Sequence, residues 1–298
     1  MKSPGLPAAP SAPRFRALYA ALRLMRVEKP LCAACFAFLG AWLAAPLPVL
    51  WSWRVVGAVA CVGFITAFGF VINDVCDLKV DSLSKPSRPL PAGRLSRPAA
   101  IALAWALAAL GLVFGLALGL ALGGAPAWVA AGATLLSAAY SARLKSTLLL
   151  GNMTVALLVA SVLVFGALVA GGTNPTVWTA AGITFTYIVA QEALFTLEDE
   201  HEDRAAGLHT TATRLGTART ARLVRALLVL FVLVALTPWV LGLASLGYAA
   251  ALLVVSVAPA AVLWWWLRAP VQPLRVARAV RLSRLLWVTS FVPLTLLK

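Results

Sequence analysis

The chain of 298 residues carries only ten acidic side chains. Nine of them fall in two short stretches: Asp74, Asp77 and Asp81, then Glu192, Glu198, Asp199, Glu200, Glu202 and Asp203. In the first stretch Asn73 and Asp77 are four apart, Asp74 and Asp77 three, and Asp77 and Asp81 four, which on one continuous helix puts all of them on a single face. In the second, Glu192, Thr196, Asp199 and Asp203 form a similar stripe. Like charges this close repel each other, so the pattern asks for a counter-ion. Hard oxygen donors at this spacing, with Lys and Arg close by, suit Mg²⁺ carrying a diphosphate: the carboxylates hold the metal and the cations meet the remaining phosphate oxygens. A solvated acidic face beside basic loops is the plainer alternative. Two matched clusters in a chain with almost no other acids argue against it.

The elements that must position these groups are apolar. The chain is 62% hydrophobic and 12% charged, with mean hydropathy +0.92, whereas a soluble domain keeps about a quarter of its residues charged. Soluble nucleic-acid binders, secreted disulfide scaffolds and disordered chains are excluded. A net charge of +15 invites a nucleic-acid partner, but the basic residues sit in short loops between apolar runs, where they set topology, and the expected partner is the lipid bilayer. Nine runs approach the ~20 residues a spanning helix needs: about 30–49, 53–72, 98–121, 125–141, 149–171, 176–197, 222–243, 245–267 and 279–297. This predicts an all-α polytopic membrane protein, a bundle of nine transmembrane helices around a central cytoplasm-facing cavity. A cytoplasmic N-terminal segment with an interfacial helix is expected over 1–24, and a single transmembrane domain over 25–298. With the N-terminus inside a plasma (inner) membrane, only Arg54 and Lys298 fall outside and both acidic clusters are cytoplasmic. The clusters then follow even-numbered spans four apart, a hint of a duplicated four-helix unit. Gly111, Gly115 and Gly119 line one helix face and predict close helix packing.

The run Asn73-Asp74-Val75-Cys76-Asp77-Leu78-Lys79-Val80-Asp81, followed by Lys85-Pro86-Ser87-Arg88-Pro89-Leu90-Pro91-Ala92-Gly93, resembles the N-D-x-x-D-x-x-x-D and K-P-x-R-P-L-P-x-G signature of the UbiA superfamily of intramembrane prenyltransferases. Arg26-Val27-Glu28-Lys29-Pro30 is similar to the basic start of that family's first helix, and Tyr140-Ser141-Ala142-Arg143-Leu144-Lys145 with Gly151-Asn152 to its Y-S-x-x-L-K…G-N segment. Asp199 to Gly207, running on to Thr210 or Thr211, resembles the second aspartate motif. The resemblance implies Mg²⁺-dependent transfer of an isoprenyl chain from a prenyl diphosphate to a small acceptor (aromatic, glycerol or sugar phosphate, or polyol) with release of pyrophosphate. It assigns Asn73, Asp77 and Asp81 to one Mg²⁺, Asp199 and Asp203 to another, and Asp74 to their support. It assigns Arg26, Lys29, Lys85, Arg88 and Lys145 to the diphosphate, with Lys145, Arg88 and Tyr140 as the candidate catalytic residues. The second motif departs from the family pattern: Phe195-Thr196 stands for Lys-Asp, Gln191 precedes Glu192, and Glu202 stands where Gly is usual. Two other readings stay open, a terpene cyclase on the same scaffold and a non-catalytic membrane binding protein. Acids at helix ends on one side, not mid-helix, weigh against the latter.

Overall fold

In lipid every backbone polar group must be satisfied within the chain, which makes helices the default for long Ala, Leu and Val runs. A computed structural model describes residues 13–298, with side chains from residue 17 onward; the first part of the expected N-terminal segment, residues 1–12, lies outside the described residues. The helices are α1 (Pro13–Met25), α2 (Glu28–Ala44), α3 (Leu47–Leu50), α4 (Trp53–Cys76), α5 (Leu78–Ser84), α6 (Arg97–Leu122), α7 (Ala125–Ala142), α8 (Leu150–Ala170), α9 (Pro175–Glu198), α10 (Glu200–Ala205), α11 (Thr211–Leu215), α12 (Thr217–Val240), α13 (Leu246–Leu252), α14 (Ala258–Trp266), α15 (Pro273–Thr289) and α16 (Phe291–Thr295). A π-helical turn, Leu253–Val257, joins α13 to α14. Among the described residues there is no strand. Helix starts are set locally: Ser96, Asn174 and Ser245 accept the N–H groups of Ala99, Val177 and Tyr248 at the starts of α6, α9 and α13.

Each of the nine predicted runs corresponds to a helix or a helix pair. Six of these, α4, α6, α8, α9, α12 and the joined α13–α14, are long and apolar enough to cross a membrane, and a seventh crossing results if Ala17–Met25 and α2, bent by 46°, form one span. The expected nine is thus reduced to six that qualify by length and composition. The shortfall has a local cause: α2 and α15 have 17 residues each and α7 has 18, below the ~20 that a bilayer core asks for. In addition α7 is diluted by Thr134, Ser137 and Ser141, and α15 carries Arg275, Arg278, Arg281 and Arg284.

The hint of duplication has a geometric counterpart. Helices α2 and α8 cross at reciprocal glycines: a Cβ on Gly40 would lie 1.9 Å from the Leu163 carbonyl oxygen, and one on Gly166 would lie 1.8 Å from that of Ala37. The contact is self-matching, since Ala37 and Gly40 meet Leu163 and Gly166 at the same spacing. The helices that follow, α4 and α9, both stop at an aspartate of nearly identical conformation, Asp77 (φ −85°, ψ 0°) and Asp199 (φ −88°, ψ 3°). The two non-glycine residues with positive φ among the described residues, Arg26 (φ 49°) and Leu149 (φ 58°), sit at the entries to α2 and α8. The pattern α2-α4-α6-α7 is repeated as α8-α9-α12-α13/α14, with α15 and α16 completing the bundle.

Two further contacts lock this arrangement. On α6 the glycine stripe packs as expected, with added Cβ atoms at Gly111, Gly115 and Gly119 falling 2.5 to 2.6 Å from Ile65, Ala130 and Ala127 side chains. At the far end of α2, Lys298 Nζ donates to the carbonyls of Trp42 (2.8 Å) and Ala45 (2.7 Å). These are carbonyls a helix C-terminus otherwise leaves unsatisfied, and the clasp ties the end of the chain to its first long helix.

The α2–α8 crossing predicts the cost of a single methyl. Gly40→Ala or Gly166→Ala must push backbone off backbone and should cost at least ~1–3 kcal/mol, the usual penalty of overpacking. Gly63→Ala, whose Cβ meets nothing within 4 Å, serves as control. Thermal unfolding in detergent should show lower midpoints for the first two only; equal midpoints for all three would refute the crossing.

Candidate active site

The first acidic cluster is assembled across a helix break. The helix does not continue through it as the spacing predicted: α4 stops at Asp77, whose N–H still reaches the Asn73 carbonyl (2.9 Å) while its own carbonyl accepts from Asp81 (2.8 Å). A ψ near zero redirects the chain between these bonds, so α5 starts along a new axis. The turn buries Asp74 and Asp81 to 4% exposure each. Carboxylates so placed need partners, and each aspartate has one. Arg26 donates to Asp74 Oδ1 at 2.8 Å, Arg88 contacts Asp81 at 2.5 Å and Asp74 at 3.6 Å, and Lys145 pairs with Asp77. Asn73 Nδ2 donates to Asp77 Oδ2 at 3.0 Å, while the Asn73 side-chain amide oxygen, Oδ1, is buried without a partner.

Each cation is delivered by a distinct local device. Arg26 occupies the left-handed region in the turn between α1 and α2, a conformation uncommon for a residue with a side chain, and its guanidinium lies 5.0 Å from the Phe70 ring centroid. Arg88 sits in a compact loop closed by Ala92 N–H to the Arg88 carbonyl and by Gly93 at φ 65°; buried Leu90 anchors that loop in the core. Lys145 rides on the 3₁₀ turn Leu144–Ser146. That turn lies directly against the start of α8, where a Cβ on Gly151 would be 2.7 Å from the Leu144 carbonyl and 3.1 Å from Lys145 Cα, so only glycine fits. Thr211, fully buried, accepts the Leu149 N–H and donates to Asn152 Oδ1, both at 3.1 Å. The His209 N–H adds a bond to Ser146. Gly151, Asn152 and Thr211 therefore position the lysine. Residue types alone gave no sign of this, because the partners are about 60 residues apart in sequence.

The second cluster repeats the break. Asp199 and Asp203 flank the start of α10, half-buried and, among the described residues, without an ion pair. Burial pushes both carboxyls above the ordinary range; the cations of Lys85, Arg284 and Arg88 partly offset this at Asp199, and the Thr210 hydroxyl does so at Asp203. Lys85, from the loop after the first cluster, approaches Glu202 of the second at 3.4 Å and links the two. Glu200 is turned away toward Arg204 and Thr217. At the departures from the family pattern, the Thr196 hydroxyl is spent on the Ala193 carbonyl of its own helix (2.9 Å), and Gln191 is buried against the Ser283 carbonyl of α15 (2.9 Å). Over Phe195 stands Arg284, 5.4 Å from the ring centroid and 3.7 Å from Glu198. Arg284 was not among the sequence candidates. Its only signal there is the every-third-residue arginine spacing of α15.

Tyr140, near the end of α7, lies in the field of Glu192, Asp77 and Asp203, carboxylates of both clusters. Lys29 is exposed at the start of α2 and, among the described residues, joins no ion pair. The structure thus gathers Arg26, Lys85, Arg88, Lys145, Tyr140 and both aspartate sets at one end of the bundle, and leaves Lys29 at the rim. A cavity of about 300 Å³ opens beside them, lined by Arg23, Arg26, Glu28, Asp74, Ser87, Arg88 and Pro89. Among the described residues no three acid, His or Cys side chains already converge as a metal cage. The donors on hand are hard oxygens, and the orphaned side-chain amide oxygen of Asn73 among them fits Mg²⁺.

Comparison with known proteins bears on this geometry. The profile of the UbiA prenyltransferase family matches residues 33–288. A digeranylgeranylglyceryl phosphate synthase of Methanoregula boonei is 41% identical over 170 residues, 55% of this chain and 57% of its own length. The synthase of the same name from Methanopyrus kandleri is 31% identical over 80% of this chain and 84% of its own. The fold is shared with a UbiA homologue from Archaeoglobus fulgidus solved with GPP and Mg²⁺, at TM-score 0.68 and 21% identity, covering 92% of this chain and 99% of that one.

The ion pairs make a testable coupling. Arg88→Gln strands the buried Asp81, Asp74 keeping Arg26, and should destabilise by roughly 2 kcal/mol, short of the ~3–5 of a fully buried pair because the Arg88 side chain keeps 28% exposure. Adding Asp81→Asn should restore part of that loss. In a double-mutant cycle followed by thermal unfolding, a coupling of at least ~1 kcal/mol is expected; strict additivity would mean the pair does not form.

Proposed function

The chain belongs to the UbiA prenyltransferase family, and we propose that it catalyses Mg²⁺-dependent transfer of a prenyl chain from its diphosphate to the hydroxyl of a small phosphate-bearing acceptor within the membrane. The observation that carries this reading is the pairing of two aspartate-bearing helix breaks with Arg26, Arg88, Lys145 and Lys85 at one mouth of an apolar bundle. In the transfer, the bond between the allylic carbon and the diphosphate oxygen breaks, the acceptor oxygen bonds to that carbon and gives up its proton, and pyrophosphate leaves. The acceptor class is supported by the names of the relatives in Methanoregula and Methanopyrus, both glyceryl phosphate synthases.

Asn73, Asp77 and Asp81 would hold one Mg²⁺ and Asp199 and Asp203 another, with Asp74 bracing the first set. When bound, these ions would neutralise the charge that develops on the leaving diphosphate. Arg26 and Arg88 present planar donor forks, and Lys145 a point charge, toward the same anion; each keeps N–H groups beyond those used on its aspartate. Lys85 and Lys29 add charge at the rim. Asp199 and Asp203, half-buried and among the described residues without an ion pair, are hard-oxygen donors of the kind Mg²⁺ takes. Tyr140, between the clusters, would bound the space in which the allylic carbon sits, and the apolar helices would exclude water from the cation formed there. Thr196 leaves the second site one carboxylate poorer than the family pattern.

The topology belongs to this reading: nine crossings, with α2, α7 and α15 shielded by their neighbours, the N-terminus and both aspartate motifs cytoplasmic in the plasma membrane, and Arg54 and Lys298 outside.

Two measurements test these proposals. Purified protein given Mg²⁺, a prenyl diphosphate panel and glyceryl phosphate acceptors should release pyrophosphate. Asp77→Asn or EDTA should reduce that release by orders of magnitude in protein that still unfolds cooperatively; turnover at the untreated rate in EDTA would discard the metal assignment. Separately, single cysteines at Ser84 and Ala125, in a background without the four native ones, should label from the cytoplasmic and outer sides respectively. Both reacting from the same side would exclude the nine-crossing topology.

A further inference from the structure

A second cationic cluster forms where the third turn of α12 meets the C-terminal end of α14 and the start of α15. Arg225 of α12 places its guanidinium carbon 3.9 Å from the Trp264 ring centroid, and Arg268, just past α14, lies 5.3 Å from the same ring. Arg275, at the start of α15, stands 5.7 Å from Trp265. Trp264 packs against the main hydrophobic core, so the indole is a fixed platform. Among the described residues none of these three arginines pairs with a carboxylate, and Arg225 Nε is buried without a hydrogen-bond partner.

Stacking two guanidiniums on one ring holds like charges together and orients their planar donor edges. It holds each guanidinium against the ring quadrupole and supplies no counter-charge. In an interior ion-pair network an acid would complete the arrangement; among the described residues none does. The elements are the ends of membrane-crossing helices, where tryptophan side chains sit at headgroup depth, so the anion at hand is a lipid phosphate. We propose that Arg225, Arg268 and Arg275, on the Trp264–Trp265 platform, form a binding site for the phosphate of an anionic phospholipid headgroup in the leaflet bordering the aspartate motifs. The guanidinium edges of Arg225 and Arg268 take the phosphate oxygens, the indoles cover the glycerol region, and Arg275 closes the outer side. The site shares no residue with the proposed catalytic set and so does not depend on the reaction assigned above.

The test is native mass spectrometry of protein drawn from bilayers of equal phosphatidylglycerol and phosphatidylcholine. The wild type should retain phosphatidylglycerol preferentially. Arg225→Gln with Arg268→Gln should weaken that retention about tenfold to thirtyfold, as expected for losing two interfacial cations. Arg219→Gln with Arg222→Gln, which removes equal charge from exposed positions of α12, should leave it within about twofold. Arg225→Lys with Arg268→Lys keeps the charge and loses the planar forks, and should fall between, so the result stands even if the glutamine pair fails to fold. Equal loss in the Arg219/Arg222 control, full retention in either Arg225/Arg268 variant, or displacement of the lipid by millimolar inorganic phosphate would overturn the proposal.

Discussion

Carboxylates at the end of a lipid-embedded bundle must be neutralised where they stand, because a medium of low dielectric penalises a bare anion far more than water does. That requirement organises the aspartate-bearing end of this protein. Asp74, Asp77 and Asp81 are buried or half-buried, and three cations from three different chain segments converge on them. The turn before α2, the proline-rich loop after α5 and the 3₁₀ turn before α8 have their conformations because each must deliver one positive charge to one place. Strain at Arg26 and the glycine at 151 are consequences of that delivery.

The two acidic clusters solve the same problem with different completeness. The first is fully paired within the chain. The second has Glu198 and Glu202 tied to Arg284 and Lys85, while Asp199 and Asp203, among the described residues, join no ion pair and feel those cations only from a distance. This asymmetry sits on a symmetric frame. Helices α2 and α8 cross through reciprocal glycines and α4 and α9 end on matching aspartates. The two breaks match in backbone conformation, and the side chains before them, Phe195 and Thr196 against Asn73 and Asp74, give them different charge.

Charge outside the clusters follows a different rule. Among the described residues Arg225, Arg268 and Arg275 join no ion pair, and they rest on tryptophan faces instead. An aromatic quadrupole holds a guanidinium without neutralising it, so these helix ends stay cationic. Among the described residues, these arginines thereby keep their positive charge, whereas Arg26, Arg88 and Lys145 spend theirs on the first aspartate cluster. The clasp of Lys298 on the carbonyls of α2 plays the corresponding part at the opposite end, using backbone dipoles where acids are absent.

Much of this was readable from residue types and spacing. Apolar runs specify helices because lipid leaves the backbone no other way to satisfy itself, and the concentration of acids into two places marked the site, with Asn73, Asp77, Asp81, Asp199, Asp203, Arg88 and Lys145 all gathered at it. The glycine stripe of α6 announced its own packing. Three things needed the tertiary structure. The helix breaks at Asp77 and Asp199 were invisible because helical spacing continues unbroken through both. The positioning roles of Gly151, Asn152 and Thr211 depend on contacts between residues far apart in the chain, and the approach of Arg284 to Phe195 depends on how α15 packs on α9. The difference is physical: local sequence determines which backbone conformation is cheap and which side chains are costly to bury, whereas the choice of counter-charge for each buried acid is made only when distant segments meet.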